Sequence, residues 1–151
     1  MRRSHTISLP IERPFDEVYD YLSRPVNYQH WSGIVEQGSF RPLDNGDWVG
    51  MTPGGERHHR FTAPNNFGVL DHAIFVPGGE MFYNPMRVTP NQAGTELTFT
   101  YFRREGVTDA QFDSTVEWIR TDFLTLKAFL EAGNRPQGYS SIPEAMSRSQ
   151  D

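Results

Sequence analysis

The sequence contains no cysteine. Disulfides, thiolate metal centres and cysteine nucleophiles are excluded by that absence alone. Lysine is nearly missing as well: Lys127 is the single one, and the other basic residues are scattered arginines. At a net charge of −5 the chain has no basic stripe, and phosphate binding needs clustered positive charge, so nucleic acid is not an expected partner. No stretch approaches the ~18 consecutive apolar residues of a membrane span. The opening "MRRSHTISLP" lacks the apolar run of a secretion signal. The expectation is a cytoplasmic protein without membrane insertion. Catalytic signatures are sparse too. There is no Gly-x-Ser-x-Gly elbow, and the two "PGGE" segments at Pro53 and Pro77 lack the strand, Gly-Lys-Ser/Thr and helix context of a phosphate loop. No inward-facing pair of carboxylates emerges for acid–base work, and no cofactor is expected.

Aromatic residues are abundant, at 13% of 151 residues. They can fill an ordinary core or line an apolar interior space. "SHTISLP" (4–10) alternates as a half-buried strand. "RPFDEVYDYLS" reads as a helix led by Pro14, with Phe15, Val18, Tyr19 and Leu22 at helical spacing. "RPVNYQHWS" restarts as a second short helix carrying Tyr28 and Trp31, ended by Gly33. Short segments divided by turn chemistry follow. "IVEQGSFRPL", "DWVGMT", "ERHHRFTA", "FGVLDHAIFV", "EMFYNPMRV" and "TELTFTYFRR" read as strands, and "DNG", "PGG", "PNN" and "TPNQAG" as turns. Residues 108–133 form the one long helix, capped by Thr108 or Asp109 and stopped by Gly133. Phe112, Val116, Ile119, Phe123, Leu126 and Leu130 make its apolar stripe.

The pattern is α+β. A curved antiparallel sheet of about six to seven strands wraps the long C-terminal helix, with two short helices after strand 1. One domain covers residues 1–133, and the tail from Asn134 to Asp151 is expected to be loose or weakly docked. The short helices would close one end and leave a cavity between sheet and helix.

This order is similar to that of the START-like, SRPBCC or helix-grip, superfamily. "ISLPIERPFDEVYDYLSRPVNYQHWS" resembles its opening, "AGTELTFTYFRREG" its last strand and "RTDFLTLKAFLE" the end of its grip helix. "FGVLDH" with "NPMRV" resembles a bacterial subgroup labelled polyketide cyclase-like. The resemblance covers roughly residues 4–132 and implies a fold and a cavity. The superfamily includes lipid and hormone carriers, aromatase/cyclases, oxygenase domains and chaperone co-activators, and fold alone does not choose among them.

Alternation sorts the polar residues of the 67–88 hairpin. If Leu70, Ile74 and Val76 face inward, so does His72, and the matching set on the next strand is Phe82, Asn84, Met86 and Val88. An odd-length turn opposes Ile74 to Asn84, His72 to Met86 and, on the outer face, Asp71 to Arg87. A two-residue turn at Gly78-Gly79 would instead turn His72 outward. In "RHHRF" His59 shares the inner face with Phe61, and adjacent histidines on a strand cannot chelate one metal together. His59 and His72 have no evident third ligand, so no metal is expected. On the last strand Leu97, Phe99 and Tyr101 face inward. Trp48 suits either face. The candidate ligand-binding set is Tyr28, Trp31, His59, His72, Asn84, Met86, Phe99, Tyr101, Ile119 and Phe123. Two functions fit these residues. One is binding of a small hydrophobic or aromatic molecule. The other is a cyclase or dehydratase reaction, with His72 as catalytic proton shuttle and Tyr101 or Asn84 polarising a carbonyl. An exposed edge strand also leaves room for a homodimer.

Overall fold

The computed structural model describes residues 1–133, and the tail from Asn134 onward lies outside the described residues. In chain order the elements are β1 (Ser4–Ile11), α1 (Phe15–Leu22), a 3-10 turn (Pro25–Asn27), α2 (Tyr28–Trp31), β2 (Arg41–Pro42), β3 (Trp48–Thr52), β4 (Gly55–Phe61), β5 (His72–Phe75), β6 (Phe82–Asn84), β7 (Met86–Asn91), β8 (Gly94–Phe102) and α3 (Asp109–Glu131).

Helix α3 begins where the sequence has its strongest start signal. Thr108 and Gln111 form a reciprocal capping box, each side chain satisfying the other's backbone N–H. Gly133, at φ 66°, takes the left-handed position that ends the helix. Phe112, Val116, Phe123 and Leu126 are buried from this helix, while Ile119 and Leu130 are half-buried at the edges of the same stripe. They pack on Ile7, Ile11, Met86, Val88, Leu97 and Phe99 of the sheet. A second, aromatic cluster gathers Tyr28, Val35, Phe40 and Trp48, so Trp48 faces inward.

The strands pair antiparallel in two hydrogen-bonded sets, β1–β8–β7 and β2–β3–β4–β5–β6. The chain passes between them at Pro85. Proline has no N–H to continue the ladder, so "EMFYNPMRV" is two strands where the sequence pattern suggests one. The Pro85 carbonyl still accepts from the Thr100 N–H at 2.9 Å, which ties the sets together. The whole is a helix-grip fold.

Three local expectations need correction. In "IVEQGSFRPL" only Arg41–Pro42 pairs as strand. Gly38, at φ 84°, bends the segment, and Val35 and Phe40 anchor its two sides in the core. "FGVLDHAIFV" is regular only from His72 to Phe75, preceded by a single bridge from Val69 to Arg87. Gly68 sits at φ 70°, and a Cβ there would lie 2.0 Å from the Val88 carbonyl oxygen. The hairpin register is shifted by two residues: His72 opposes Asn84, and Ile74 opposes Phe82. The turn centres on Gly78, whose φ of 80° suits the left-handed position, rather than on Gly79. A two-residue shift keeps every side chain on its face, so His72 and Asn84 remain inward. Asp71 and Arg87 do pair on the outer side, but diagonally. Arg87 donates to both Asp71 carboxylate oxygens, at 3.0 and 2.9 Å, and the Met86 N–H donates to the same carboxylate at 2.8 Å. Asp71 thereby bridges the break beside Pro85.

Candidate functional site

Between the sheet and α3 lies a cavity of about 140 Å³. Its floor is His72 and Ile74 of β5, Asn84 of β6, and Phe99 and Tyr101 of β8. Ile119 and Phe123 of α3 cover it, and Tyr28 and Trp31 of α2 close one side. Eight of the ten candidate residues thus meet around one space, and the lining aromatics lock one another. The Trp31 ring stacks on Phe123 at 5.4 Å between centroids, and Phe99 leans on Phe123 at 5.2 Å. Tyr101 stacks on Phe112 at 5.6 Å.

His59 and Met86 do not reach this space. His59 is fully buried, with Tyr28, Phe40 and Phe61 around its ring. It belongs to the aromatic cluster beneath the floor. Met86 follows Pro85 into the other strand set, opposes Phe99 across β7 and β8, and is packed in the main core. Among the described residues no group of three or more His, Asp or Glu converges on a metal position.

Buried polar groups decide what the cavity can do. The His72 Nδ1 lies 3.2 Å from the Leu70 carbonyl. A carbonyl only accepts, so Nδ1 carries the proton and Nε2 is the acceptor of the ring. Burial lowers the His72 pKa to about 4, only partly opposed by the Leu70 carbonyl and Asp71. His59 is likewise lowered to about 4, by burial and then by the nearby His72. Both rings are neutral near pH 7. The Tyr28 hydroxyl, hydrogen-bonded to Ser32, is pushed up to about 12, chiefly by burial, and stays protonated. Asn84 is buried, and its amide has no partner among the described residues.

Several lining residues lie outside the candidate set read from the sequence. Asp122 and Trp118 come from α3, beside Ile119 and Phe123. Asp122 accepts the Gly33 N–H at 2.9 Å, which ties the end of α2 to α3, and burial raises its pKa. Its spacing from Ile119 is one helical step, a signal that helical periodicity offers. Arg104 lies beyond the end of β8, where strand alternation no longer indicates a face. Its guanidinium sits 4.0 Å over the ring of Phe82, and it lines the cavity and an adjoining outer pocket together with Asn84 and Tyr101.

No family model matches the chain, and no curated protein matches it. Solved structures do. An uncharacterised protein from Bacillus thuringiensis aligns with a TM-score of 0.67 at 15% identity, covering 86% of this chain and 99% of that one. The Aha1 protein from Colwellia psychrerythraea, solved as a dimer, aligns with a TM-score of 0.65 at 14% identity, covering 88% and 99%. Ara h 8.0201, a Bet v 1-like protein, aligns with a TM-score of 0.61 at 11% identity, covering 89% and 100%. What these proteins share with this chain is the helix-grip fold.

Proposed function

We propose that the protein binds a small hydrophobic or aromatic molecule in the cavity between sheet and α3. One observation carries this reading: His72 and Asn84 line a largely apolar cavity, and among the described residues no protein group bonds the Asn84 amide or the His72 Nε2. Leaving a buried polar group unpaired costs about 1–3 kcal/mol, so cavity water or a ligand group meets them. Pockets of this kind pair apolar walls with few convergent polar groups. Size narrows the ligand class. A cavity of about 140 Å³ is close to the about 150 Å³ that holds benzene in an engineered core. It suits a single ring rather than a polycycle. Native mass spectrometry of the purified protein tests the reading. A co-purified compound of single-ring size supports it, and a cavity that stays empty against a panel of such compounds sinks it.

A second reading, cyclase or dehydratase chemistry in the bacterial polyketide cyclase-like subgroup, draws on His72 and Tyr101 lining the same cavity. It is the weaker of the two. A ring with a pKa of about 4 is a poor base at neutral pH, because general bases work best with a pKa near the operating pH. His72→Ala separates the readings: retained binding with turnover reduced ~100-fold or more favours catalysis, while weakened binding without any turnover to lose favours a carrier.

A further inference from the structure

Four arginines lie at the end of the sheet that adjoins the cavity, and three are committed. Arg2 pairs with Glu80, Arg3 with Asp109 and Asp113, and Arg103 with Asp109. Arg104 has no carboxylate partner among the described residues, although its Nε is shut off from solvent and without an acceptor. The ring of Phe82 fixes the guanidinium at 4.0 Å, in the wall that separates the cavity from the outer pocket. A guanidinium held over an aromatic face with no carboxylate partner among the described residues is preorganised for a planar anion, which its terminal N–H groups can receive. The other charged group of the cavity, Asp122, is already engaged by the Gly33 amide. Asp122 and Arg104 both act on the Tyr28 hydroxyl, from which Asp122 raises and Arg104 lowers the cost of ionisation. The two do not form an ion pair with each other.

We propose that the ligand of this cavity is a small aromatic carboxylate, with its ring among Trp31, Phe99 and Phe123 and its carboxylate on Arg104. This rests on the ligand-binding reading given above and adds the charge of the ligand to it. Asn84 and Tyr101, which line both spaces beside Arg104, are placed to take the remaining lone pairs of the carboxylate.

The test compares benzoate with benzamide, its neutral counterpart of the same shape, by calorimetric titration into the full-length protein and into Arg104→Gln and Asp122→Asn variants. Wild type is expected to bind benzoate at least tenfold more tightly than benzamide. Arg104→Gln is expected to erase that preference, weakening benzoate tenfold or more and benzamide by less. Asp122→Asn keeps an acceptor for Gly33 and is expected to hold benzoate as tightly or more so, because a like charge is removed. Equal affinity for the two compounds in wild type, or a benzoate preference that survives in Arg104→Gln, overturns the anion assignment and leaves the cavity reading standing. Binding of neither compound overturns the aromatic-carboxylate assignment, and the cavity reading then stands or falls with the panel of other single-ring compounds.

Discussion

His72 and Asn84 stand directly opposite each other across β5 and β6, both buried and both facing the cavity. Opposed side chains on a sheet lie about 5 Å apart, so the imidazole acceptor and the amide can address one ligand atom together. Neither is held by the other: the His72 Nδ1 is turned to the Leu70 carbonyl, and the Asn84 amide has no partner among the described residues.

On the ligand-binding proposal, Asn84 serves recognition rather than stability. Asn84→Leu removes an amide that no described residue bonds, and its unfolding free energy is expected to stay within about 1 kcal/mol of wild type. Urea denaturation measures this. A loss above about 3 kcal/mol would show that the amide serves the fold.

His59 and His72 make stability depend on pH. Both have pKa values of about 4 in the folded chain against about 6.5 unfolded. Between these values the unfolded state binds more protons. Stability is thus full above about pH 6.5 and falls as pH drops toward 4, by up to about 3 kcal/mol per ring. His59→Leu removes one of the two titrations and a buried polar ring. It is expected to be neutral or stabilising at pH 7 and to shrink the acid loss, measured by denaturant titrations at pH 7, 5.5 and 4.5. An unchanged pH slope in this variant would mean that His59 is not buried as a neutral ring.

Gly68 holds the crossing beneath the hairpin. Gly68→Ala adds a methyl where the Val88 carbonyl oxygen is 2.0 Å away, at a φ of 70°. The Val88 N–H also donates to the Gly68 carbonyl. Strain and lost pairing together are expected to cost about 2–4 kcal/mol. A thermal midpoint equal to that of wild type contradicts this.

Ile119 faces the cavity from α3 while only half-buried. Ile119→Trp is expected to occupy the space that a ligand ring would use, at a stability change of about 1–3 kcal/mol for overpacking. Ligand binding should vanish with the fold intact, as judged by near-ultraviolet circular dichroism. Undiminished binding would place the ligand elsewhere.

The fold was legible because its signals are local: the Thr108–Gln111 cap, the stripe on α3 and the alternation of β8 each operate over a few residues. Facing was legible where alternation was unbroken, which is why His72, Asn84, Phe99 and Tyr101 arrive at one cavity. Register was not. It depended on whether Gly78 or Gly79 took the left-handed position, and two adjacent glycines do not distinguish themselves. Pro85 carried a plain signal, since a residue without N–H ends a ladder, and reading the segment through it misplaced Met86. Alternation turns His59 inward, but it gives a face and not a depth, and His59 lies against Phe40 and Phe61, outside the cavity lining. Arg104 could not be placed from pattern at all. It follows the last strand residue, where the chain turns toward α3, and only the tertiary position of Phe82 fixes its guanidinium.

Amide NMR titration of the full chain with benzyl alcohol asks whether the space beneath α3 holds a single-ring ligand. Saturable shifts are expected at the Asn84 side-chain amide, the Trp31 indole and the backbone of His72 and Phe99, all lost in Ile119→Trp. Saturable shifts confined to Arg2, Tyr83 and Phe102 around the outer pocket, or no saturable shift with this or any other single-ring compound, neutral or anionic, would contradict it.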